Sequence, residues 1–561
     1  VADGTKRGTA RNHIVTVNVE DYFQVGAFRD IIPFQHWERF DTRIQRNTES
    51  TLELLEATQN RATFFASGWI GENYGEILRT ITEHGHEIAC TGYYQQSIRD
   101  IPPAAFEQDL QRSRNALEDA TGQSVVGFRV GRGRIGPDDL WALDALQDNS
   151  FLYDSSICPI GRQFLHEQWR SRLHQHQAAR GEIWEVPPSA TRKFGWAIPF
   201  SGGNYVRQLP EWPIKEAAAR WVEARDAPLV MYFHIWELDS EQPNISAAPL
   251  LQRIRHYRNI GKMPGRVRYF LEKYPFTSVR EYLDLTVDPV KADRHLAFPA
   301  PVPKVLTAAS ASTPQTELTI VIPCYNEEAS LRYLARTLSQ FEEDTCSKLR
   351  SYFITVDDGS TDKTWSVLQS LFGSNPEFKL LRHEENQGIA SAILTGVREA
   401  KTEYVAVIDA DCTFDPRQLS DMIDMMEDSV AAVCASPLHP SGSIANVPQW
   451  RMALSRGAAF LYRCVLRHKF SSYTSCFRIY RRESLQGMVV HYDGFCGVAE
   501  ILARLDMQGY ALRECAANLE VRVLGESKIN LASTIFDHLK LVSRLAMARW
   551  LSIPLPAKTS D

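Results

Sequence analysis

Four stretches within residues 319–416 decide the fold: TIVIPCYNEE (319–328), FITVDDGSTD (353–362), NQGIASAILTG (386–396) and YVAVIDADCTFDP (404–416). Two β-branched runs end in acidic loops, and a third ends at Asp409-Ala410-Asp411. Strands alternating with helices build a parallel α/β sheet, and its successive strands deliver these carboxylates to one edge, where open α/β sheets bind ligands. An Asp-x-Asp pair there can hold a hard divalent cation against a diphosphate.

Outward from this stretch, the bulk numbers set bounds. A chain of 561 residues exceeds one hydrophobic core, so two or more domains are expected. With 44% hydrophobic and 23% charged residues and a mean hydropathy of −0.28, the composition is that of a globular protein. A formal charge of −6 argues against a nucleic-acid binder. No apolar stretch reaches the roughly 18 residues that a membrane span needs, and VADGTKRGTARN (1–12) lacks the apolar core of a secretory signal. The ten cysteines form no C-x-x-C pair and several lie in apolar runs. Reduced, buried thiols and a cytoplasmic location are expected.

Strand-like runs (HIVTVNV, ATFFAS, HEIAC, PLVMYFHIW) alternate with helical patterns from His13 to Leu285, as in a barrel or layered α/β domain. The stretch 287–315 is rich in Pro, Ala, Ser and Thr and lacks an amphipathic period. The expected organisation is a first domain over 12–286, a linker over 287–316, a second domain over 317–529 and an amphipathic helix over 530–550. That helix has two readings. It is a membrane-surface element with Lys540, Arg544, Arg549 and Trp550 at headgroup level and Ile535, Phe536, Leu539, Val542 and Leu545 toward the acyl boundary, or an ordinary packed helix.

The segments VIPCYNEE, VDDGSTD, Asn-x-Gly, DAD, SCFRIYRRESL and VRVLGESK, in that order over residues 318 to about 545, resemble the inverting GT-A glycosyltransferases of the dolichol-phosphate mannose synthase type. The resemblance implies a Rossmann-like GT-A domain in polysaccharide biosynthesis, with a UDP- or GDP-sugar as donor. Pro323, Tyr325 and Glu327 would lie in the loop around base and ribose, and Asp357 or Asp358 would accept a hydrogen bond from the base. Asp409 and Asp411 would bridge Mg²⁺ or Mn²⁺ to the diphosphate, and Arg522 would add a second cation to the leaving group. Asp411, Glu500 and Arg522 are the catalytic candidates, Glu500 on the acceptor side.

The acceptor is open between a polyprenyl-phosphate lipid and a glycan. A sugar hydroxyl needs a base, whereas a phosphate is already an anion and needs cations. Arg451 and Ser455 match the family's Arg-x-x-x-Ser phosphate set, and Arg478 would contact the acceptor or form an ion pair. Two departures weaken the lipid-phosphate match: Ser436-Pro437-Leu438 stands where the family has Ser-Arg-Tyr, and Thr413 where its metal site usually has Gln.

The first domain, over roughly 12–285, resembles the polysaccharide deacetylases, which implies a (β/α) barrel. The matching segments are VTVNVEDYFQV, RATFFASGWI, GHEIACTGYYQQS, VGFRVG, FLYDSSICP and YFHIWELD. That family's chemistry needs a metal, usually zinc, on one carboxylate and two histidines at i and i+4, with a second carboxylate as base. Here the histidine positions hold Thr91 and Gln95, and the base position holds Asn18. Glu20 or Asp21 remains as a carboxylate, Arg129 begins an Arg-Val-Gly in place of Arg-Ala-Pro, and His234 remains from the frame. No zinc and no amide hydrolysis are expected, leaving a binding or scaffolding module. The competing expectations are a bifunctional deacetylase or deformylase with transferase, and a scaffold in which both halves are degenerate.

Overall fold

A computed structural model describes residues 12–160, 164, 167–178, 181–193, 196–224, 227–286, 316–447, 449–525 and 531–551. The expected linker over 287–316 thus lies outside the described residues, save Thr316, which opens a strand. The chain forms two compact units. The first holds the described residues of Val1–Arg29, Thr42–Gln242 and Pro249–Pro303, and the second those of Asp30–Asp41, Pro243–Ala248 and Lys304–Asp561. Two short stretches expected in the first domain therefore belong to the second unit. Hydrophobic periodicity does not reveal this, because it reports an element's own burial and not its partner.

The first unit is built on strands β1 (His13–Val19), β2 (Thr63–Ala66), β3 (Glu87–Cys90), β4 (Gly127–Phe128), β5 (Tyr153–Asp154), β6 (His174–Ala178) and β7 (Gly181–Glu185). β8 (Ala190–Lys193) and β9 (Trp196–Pro199) form a separate hairpin, followed by β10 (Val230–His234) and β11 (Phe276–Thr277). The sheet order is β10-β1-β2-β3-β4-β5-β7-β6, with β11 also on β1. Every pairing is parallel except β6 on β7. Among the described residues β10 and β6 remain opposite edges, so the expected barrel is an open one. Helices such as Ile44–Ala57, Gly68–Glu83 and Pro103–Thr121 connect the strands. β1 is buried along nearly its whole length, polar His13 and Thr16 included, as strands of parallel sheets covered on both faces are. The register sets Asn18 opposite His234 at the C-terminal ends of β1 and β10.

The second unit carries β12 (Thr316–Cys324), β13 (Leu349–Asp357), β14 (Phe378–Arg382), β15 (Tyr404–Val407) and β16 (Val430–Ser436). It continues with β17 (Ser443–Ile444), β18 (Arg478–Arg481), β19 (Ala511–Ala516) and β20 (Asn518–Leu519). The main sheet runs β14-β13-β12-β15-β18-β16-β19, with β18 antiparallel to both neighbours. The chain steps outward from β12 to β13 and β14, then returns to place β15 on the other side of β12. That reversal opens a crevice at the C-terminal ends of β12 and β15, where Glu327 and Asp409-Ala410-Asp411 follow. Leu318, Ile320, Val321, Ile322, Val405 and Val407 are fully buried beneath it.

The last helix, Leu531–Trp550, packs on Gln449–Val465 and Phe495–Gln508. Leu541 and Leu545 are buried in the core, and His538 Nδ1 lies 2.7 Å from the Tyr462 hydroxyl. Leu545, and Val542 beside it, thus face protein and not an acyl boundary; the expectation for these two is corrected by the core they fill. Ile535, Phe536, Leu539 and Trp550 are exposed. All ten cysteines are free thiols.

Candidate functional site

At the crevice, three loops are sewn together before any ligand is considered. Asn326, at φ 53°, accepts hydrogen bonds at its side-chain oxygen from the Thr361 and Asp362 amides, at 2.8 and 3.2 Å. The Glu327 amide donates to Thr364 Oγ1 at 2.8 Å, and the Asn326 amide to Ser360 Oγ at 2.9 Å. The PCYNEE loop is thereby fixed against the DDGSTD turn. Gly359 turns at φ 70°, with space for a Cβ blocked by backbone of Glu385 at 2.5 Å, so glycine is required there.

Two of the expected acids, Asp411 and Glu327, converge on the guanidinium of Arg522. Arg522 Nε donates to Asp411 Oδ2 at 2.5 Å and its Nη2 to Glu327 Oε1 at 2.8 Å. Asp411 Oδ1 accepts from the Thr413 amide at 3.1 Å, and Glu327 Oε2 from Ser330 Oγ at 2.7 Å. Burial raises the Glu327 pKa although Arg522 opposes the rise, while the two carboxylates push that of Arg522 up against its own burial. Asp409 is raised to about 7, first by burial and then by the charge of Asp411, with the Cys476 thiol hydrogen-bonded to it. Three acidic side chains thus face one fixed cation, and the site is short of positive charge.

The donor set suits a hard divalent ion: Asp409 and Asp411 offer oxygen and their mutual repulsion would be relieved by one. Among the described residues no group of three or more His, Cys, Asp and Glu side chains could hold a metal. A cation on Asp409 and Asp411 would therefore need further oxygens from water and from a bound diphosphate.

The other expected positions are placed differently. Asp358 is buried and both its oxygens are engaged: Oδ1 with His383 Nδ1 at 2.7 Å and the Gln387 amide at 2.9 Å, Oδ2 with the Gly388 amide at 2.8 Å. It holds the Asn-x-Gly loop. Asp357 Oδ1 accepts from the Ser360 amide at 3.1 Å, and Arg382 Nε lies 3.1 Å from its Oδ2 without hydrogen-bond alignment. Pro323 and Tyr325 are half-buried at the end of β12 and in the turn after it.

Glu500 is 2% exposed, and its carboxylate is spent on four donors. Oε2 accepts from the His491 and Tyr492 amides at 2.8 and 3.0 Å, and Oε1 from Arg504 Nε and Nη2 at 2.8 and 2.6 Å. Arg478 is fully buried in β18 and donates to Val498 O at 2.7 Å, Tyr473 O at 2.6 Å and the Tyr480 hydroxyl at 3.1 Å. The expectation that Arg478 meets an acceptor gives way to a packing role, because its guanidinium is fully buried and bonded to two backbone carbonyls and Tyr480. Arg451 is exposed and Ser455 half-buried on helix Gln449–Val465, one turn apart on the same face. His383 and Cys476 were missed as candidates. Their signal was position, each lying in a quoted or adjoining motif beside an acidic loop.

In the first unit, His234 Nδ1 lies 2.5 Å from Glu20 Oε1 and 3.3 Å from Asn18 Nδ2. Trp236 Nε1 donates to the same Glu20 oxygen at 3.1 Å. Burial works against charge on His234, but the Glu20 carboxylate outweighs it and the pKa is raised. Arg129 links Asn18 Oδ1 at 3.0 Å, Thr16 Oγ1 at 2.9 Å and Ser155 Oγ at 2.8 Å, beneath the Phe65 ring. Asp21 is turned to the Thr42 hydroxyl and the Arg43 amide, both at 2.7 Å, and burial pushes it up to about 6. Of the two adjacent acids, only Glu20 contacts His234. Thr91 and Gln95 are buried, and a Cβ on Gly131 would come within 2.7 Å of Gln95 Cβ and 2.9 Å of Thr91 O. Thr91 and Gln95 are thus covered by the segment that Arg129 leads.

Three family models match the chain. Residues 319–488 match the model of glycosyl transferase family 2, residues 37–147 that of polysaccharide deacetylase, and residues 155–284 that of a domain of unknown function, DUF3473. The chain therefore joins a polysaccharide deacetylase domain to a glycosyl transferase family 2 domain. The dolichol-phosphate mannosyltransferase of Pyrococcus furiosus is 28% identical over 231 residues, 41% of this chain and 63% of its own length. The polyprenol monophosphomannose synthase of Mycolicibacterium smegmatis is 26% identical over 224 residues, 39% of this chain and 82% of its own. A mannosyltransferase from Pyrobaculum calidifontis, solved with GDP-mannose and Mn²⁺, is 18% identical. The match covers 43% of this chain and 66% of that one, at a TM-score of 0.31. The chain thus spans less than two thirds of the length of the Pyrococcus relative.

Proposed function

We propose that the second unit is a metal-dependent, inverting glycosyltransferase that moves a sugar from a UDP- or GDP-linked donor to a polyprenyl-phosphate acceptor. The observation that carries this reading is the convergence of Glu327, Asp411 and Arg522 at one sheet edge, with Asp409 beside them. Asp409 and Asp411 would hold Mg²⁺ or Mn²⁺, which supplies charge neutralisation for the departing nucleotide diphosphate. Arg522, held in place by two carboxylates, can donate to the same leaving group without reorganising far. The DDGSTD and PCYNEE loops, tied together by Asn326, would frame the nucleoside.

Two observations favour a lipid phosphate over a glycan. Glu500, the expected acceptor-side carboxylate, has its oxygens committed to four donors, and a phosphate acceptor needs no base. Arg451 and Ser455 also lie on a helix whose outer face carries exposed Trp450, Leu454 and Phe460. That helix packs on the last one, which exposes Ile535, Phe536 and Leu539. The two helices together carry six basic residues, Arg451, Arg456, Arg463, Lys540, Arg544 and Arg549, and one acid, Asp537. Apolar stripes with a strong basic excess suit the surface of an anionic bilayer. No helix of the described residues is long and apolar enough to cross a membrane.

For the first unit we infer a frame that no longer hydrolyses amides, because Thr91 and Gln95 cannot replace imidazole ligands and Asn18 cannot act as a base. The primary test is a thermal-shift panel of UDP, GDP and other nucleoside diphosphates with and without Mn²⁺. A rise in melting temperature that needs both metal and one nucleotide is expected. No rise with any nucleotide would defeat the transferase reading. Metal analysis of the purified chain should find far less than one zinc per molecule; stoichiometric zinc would overturn the inactive-frame reading. Co-sedimentation with anionic vesicles, lost in a Phe536→Glu, Leu539→Glu variant, tests the membrane surface.

A further inference from the structure

The second unit contains two stretches encoded far upstream of its sheet, Asp30–Asp41 and Pro243–Ala248. Both touch the loops that carry the candidate site. The short 3-10 helix Phe34–Arg39 ends in Arg39, whose side chain is 2% exposed. Its Nη2 donates to Asp415 Oδ2 at 2.7 Å and its Nε to Gln340 Oε1 at 2.9 Å. Phe40 packs edge-on to Tyr333 at 5.1 Å, and Asn446 Nδ2 donates to the Asp30 carbonyl at 2.6 Å. Asp415 lies four residues beyond Asp411 and caps the turn Pro416–Gln418 that closes the Asp-Ala-Asp loop.

The loop between them is held at several points: the Cys412 amide donates to the Asp409 carbonyl at 3.1 Å, Phe414 pairs with Leu519 and stacks on Phe477 at 5.2 Å, and Arg417 Nη2 donates to Asp415 Oδ2 at 2.6 Å beside Arg39. Cys412 sits at φ 51°, a conformation costly for a side chain that must be held by its surroundings. The Thr413 carbonyl accepts from the Glu520 amide at 2.9 Å, which joins the loop to the stretch leading into Arg522. The second upstream stretch meets that same run. The Ser246 amide donates to the Val523 carbonyl at 3.0 Å, its hydroxyl to the same oxygen at 3.2 Å, and Ile245 pairs with Leu524. Ile245 is fully buried. Upstream residues thus brace both sides of the carboxylate–guanidinium contact: Arg39 through Asp415, and Ser246 through Val523.

We propose that Arg39 is a positioning residue for this site, acting through Asp415 to hold the Asp409–Asp411 loop in its ligand-binding shape. The inference rests on the transferase reading for its effect on ligand affinity, but not for its effect on the loop. A buried guanidinium paired with a carboxylate is strongly coupled to it, so loss of either partner should release the same loop. Nothing in the glycosyl transferase match, which begins at residue 319, includes Arg39.

The test uses the full chain and two readouts. Hydrogen exchange should show faster exchange at the amides of residues 412–415 in Arg39→Gln and in Asp415→Asn, with strand amides 320–322 still protected. Mn²⁺ titration in the presence of UDP or GDP should show about tenfold weaker binding in either variant, the scale for losing a support behind a metal ligand. The double variant should lose no more than either single one, and Arg39→Lys should recover part of the loss. If Arg39→Gln fails to fold, Asp415→Asn and Arg39→Lys carry the same comparison. Unchanged exchange at 412–415 together with unchanged Mn²⁺–nucleotide binding overturns the proposal. Should the parent chain bind no nucleoside diphosphate at all, the transferase reading falls, and exchange at 412–415 still decides whether Arg39 holds the loop.

Discussion

Arg522 Nε stands 2.5 Å from Asp411 Oδ2, although 111 residues separate the two in the chain. The guanidinium also reaches Glu327, so it neutralises charge from the ends of two different strands at the point where strand order reverses. In a site short of positive charge, this contact holds Asp411 and Arg522 against each other; on the proposed transferase reading it would set Arg522 beside the leaving diphosphate.

Arg522→Gln should therefore lower kcat by about 100-fold with a smaller change in donor KM, since a preorganised charge contact to a leaving group acts mainly in the transition state. Steady-state kinetics with the nucleotide-sugar identified by thermal shift measures this. A variant with unchanged kcat would remove Arg522 from the mechanism.

Glu500→Gln should leave the shape of the kcat–pH profile unchanged. Its carboxylate fastens the His491–Tyr492 turn and the Arg504 side chain, so the variant should cost stability on the order of 1–3 kcal/mol. Loss of the acidic limb of the profile would instead make Glu500 the base and favour a hydroxyl acceptor.

Arg478→Met should destabilise the second unit by about 3 kcal/mol or more, because the carbonyls of Tyr473 and Val498 would lose their buried donor. Urea unfolding measures the loss. At temperatures where the variant stays folded, acceptor KM should match that of the parent.

His36 gives a pH dependence. Burial, then the Arg39 charge, lowers its pKa to about 4, while Asp415 raises it and Arg417 lowers it further. Glu520 also faces it, 3.5 Å from Nδ1. With an unfolded value of 6.5, the unfolded chain takes up a proton first as pH falls, so stability is full above about 6.5 and is lost toward about 4. The loss from this group should be on the order of 1–3 kcal/mol, and His36→Gln should flatten that part of the melting-temperature profile. An unchanged slope in the variant would assign the acid sensitivity to other groups.

Much of the architecture was legible in the residues. The runs TIVIP, FITVDD and YVAVIDAD announce strands through β-branched content, and each ends where a parallel strand would hand its loop to the ligand edge. That Thr91 and Gln95 offer no imidazole to a metal was equally plain, since ligand chemistry depends on residue type. What stayed hidden was the destination of polar side chains. Glu500 and Arg478 sit in motifs that suggest contact with an acceptor, yet backbone groups and Arg504 consume one, and two backbone carbonyls and Tyr480 hold the other. The sequence likewise carried no mark of the Arg39–Asp415 pair, because no periodicity links residues 376 positions apart.

The amino-acid order by itself determined two α/β halves, an acidic edge in the second and, in the first, Thr91 and Gln95, which offer no imidazole. Those features follow from residue type and short-range spacing, which local backbone geometry converts directly into strand ends and loops. Only the tertiary structure decided which acids keep free oxygens, which arginine answers Asp411, and which upstream segments brace its loop. Each of those outcomes depends on the hydrogen-bond partners that meet a group once it is buried, and packing brings those partners from anywhere in the chain.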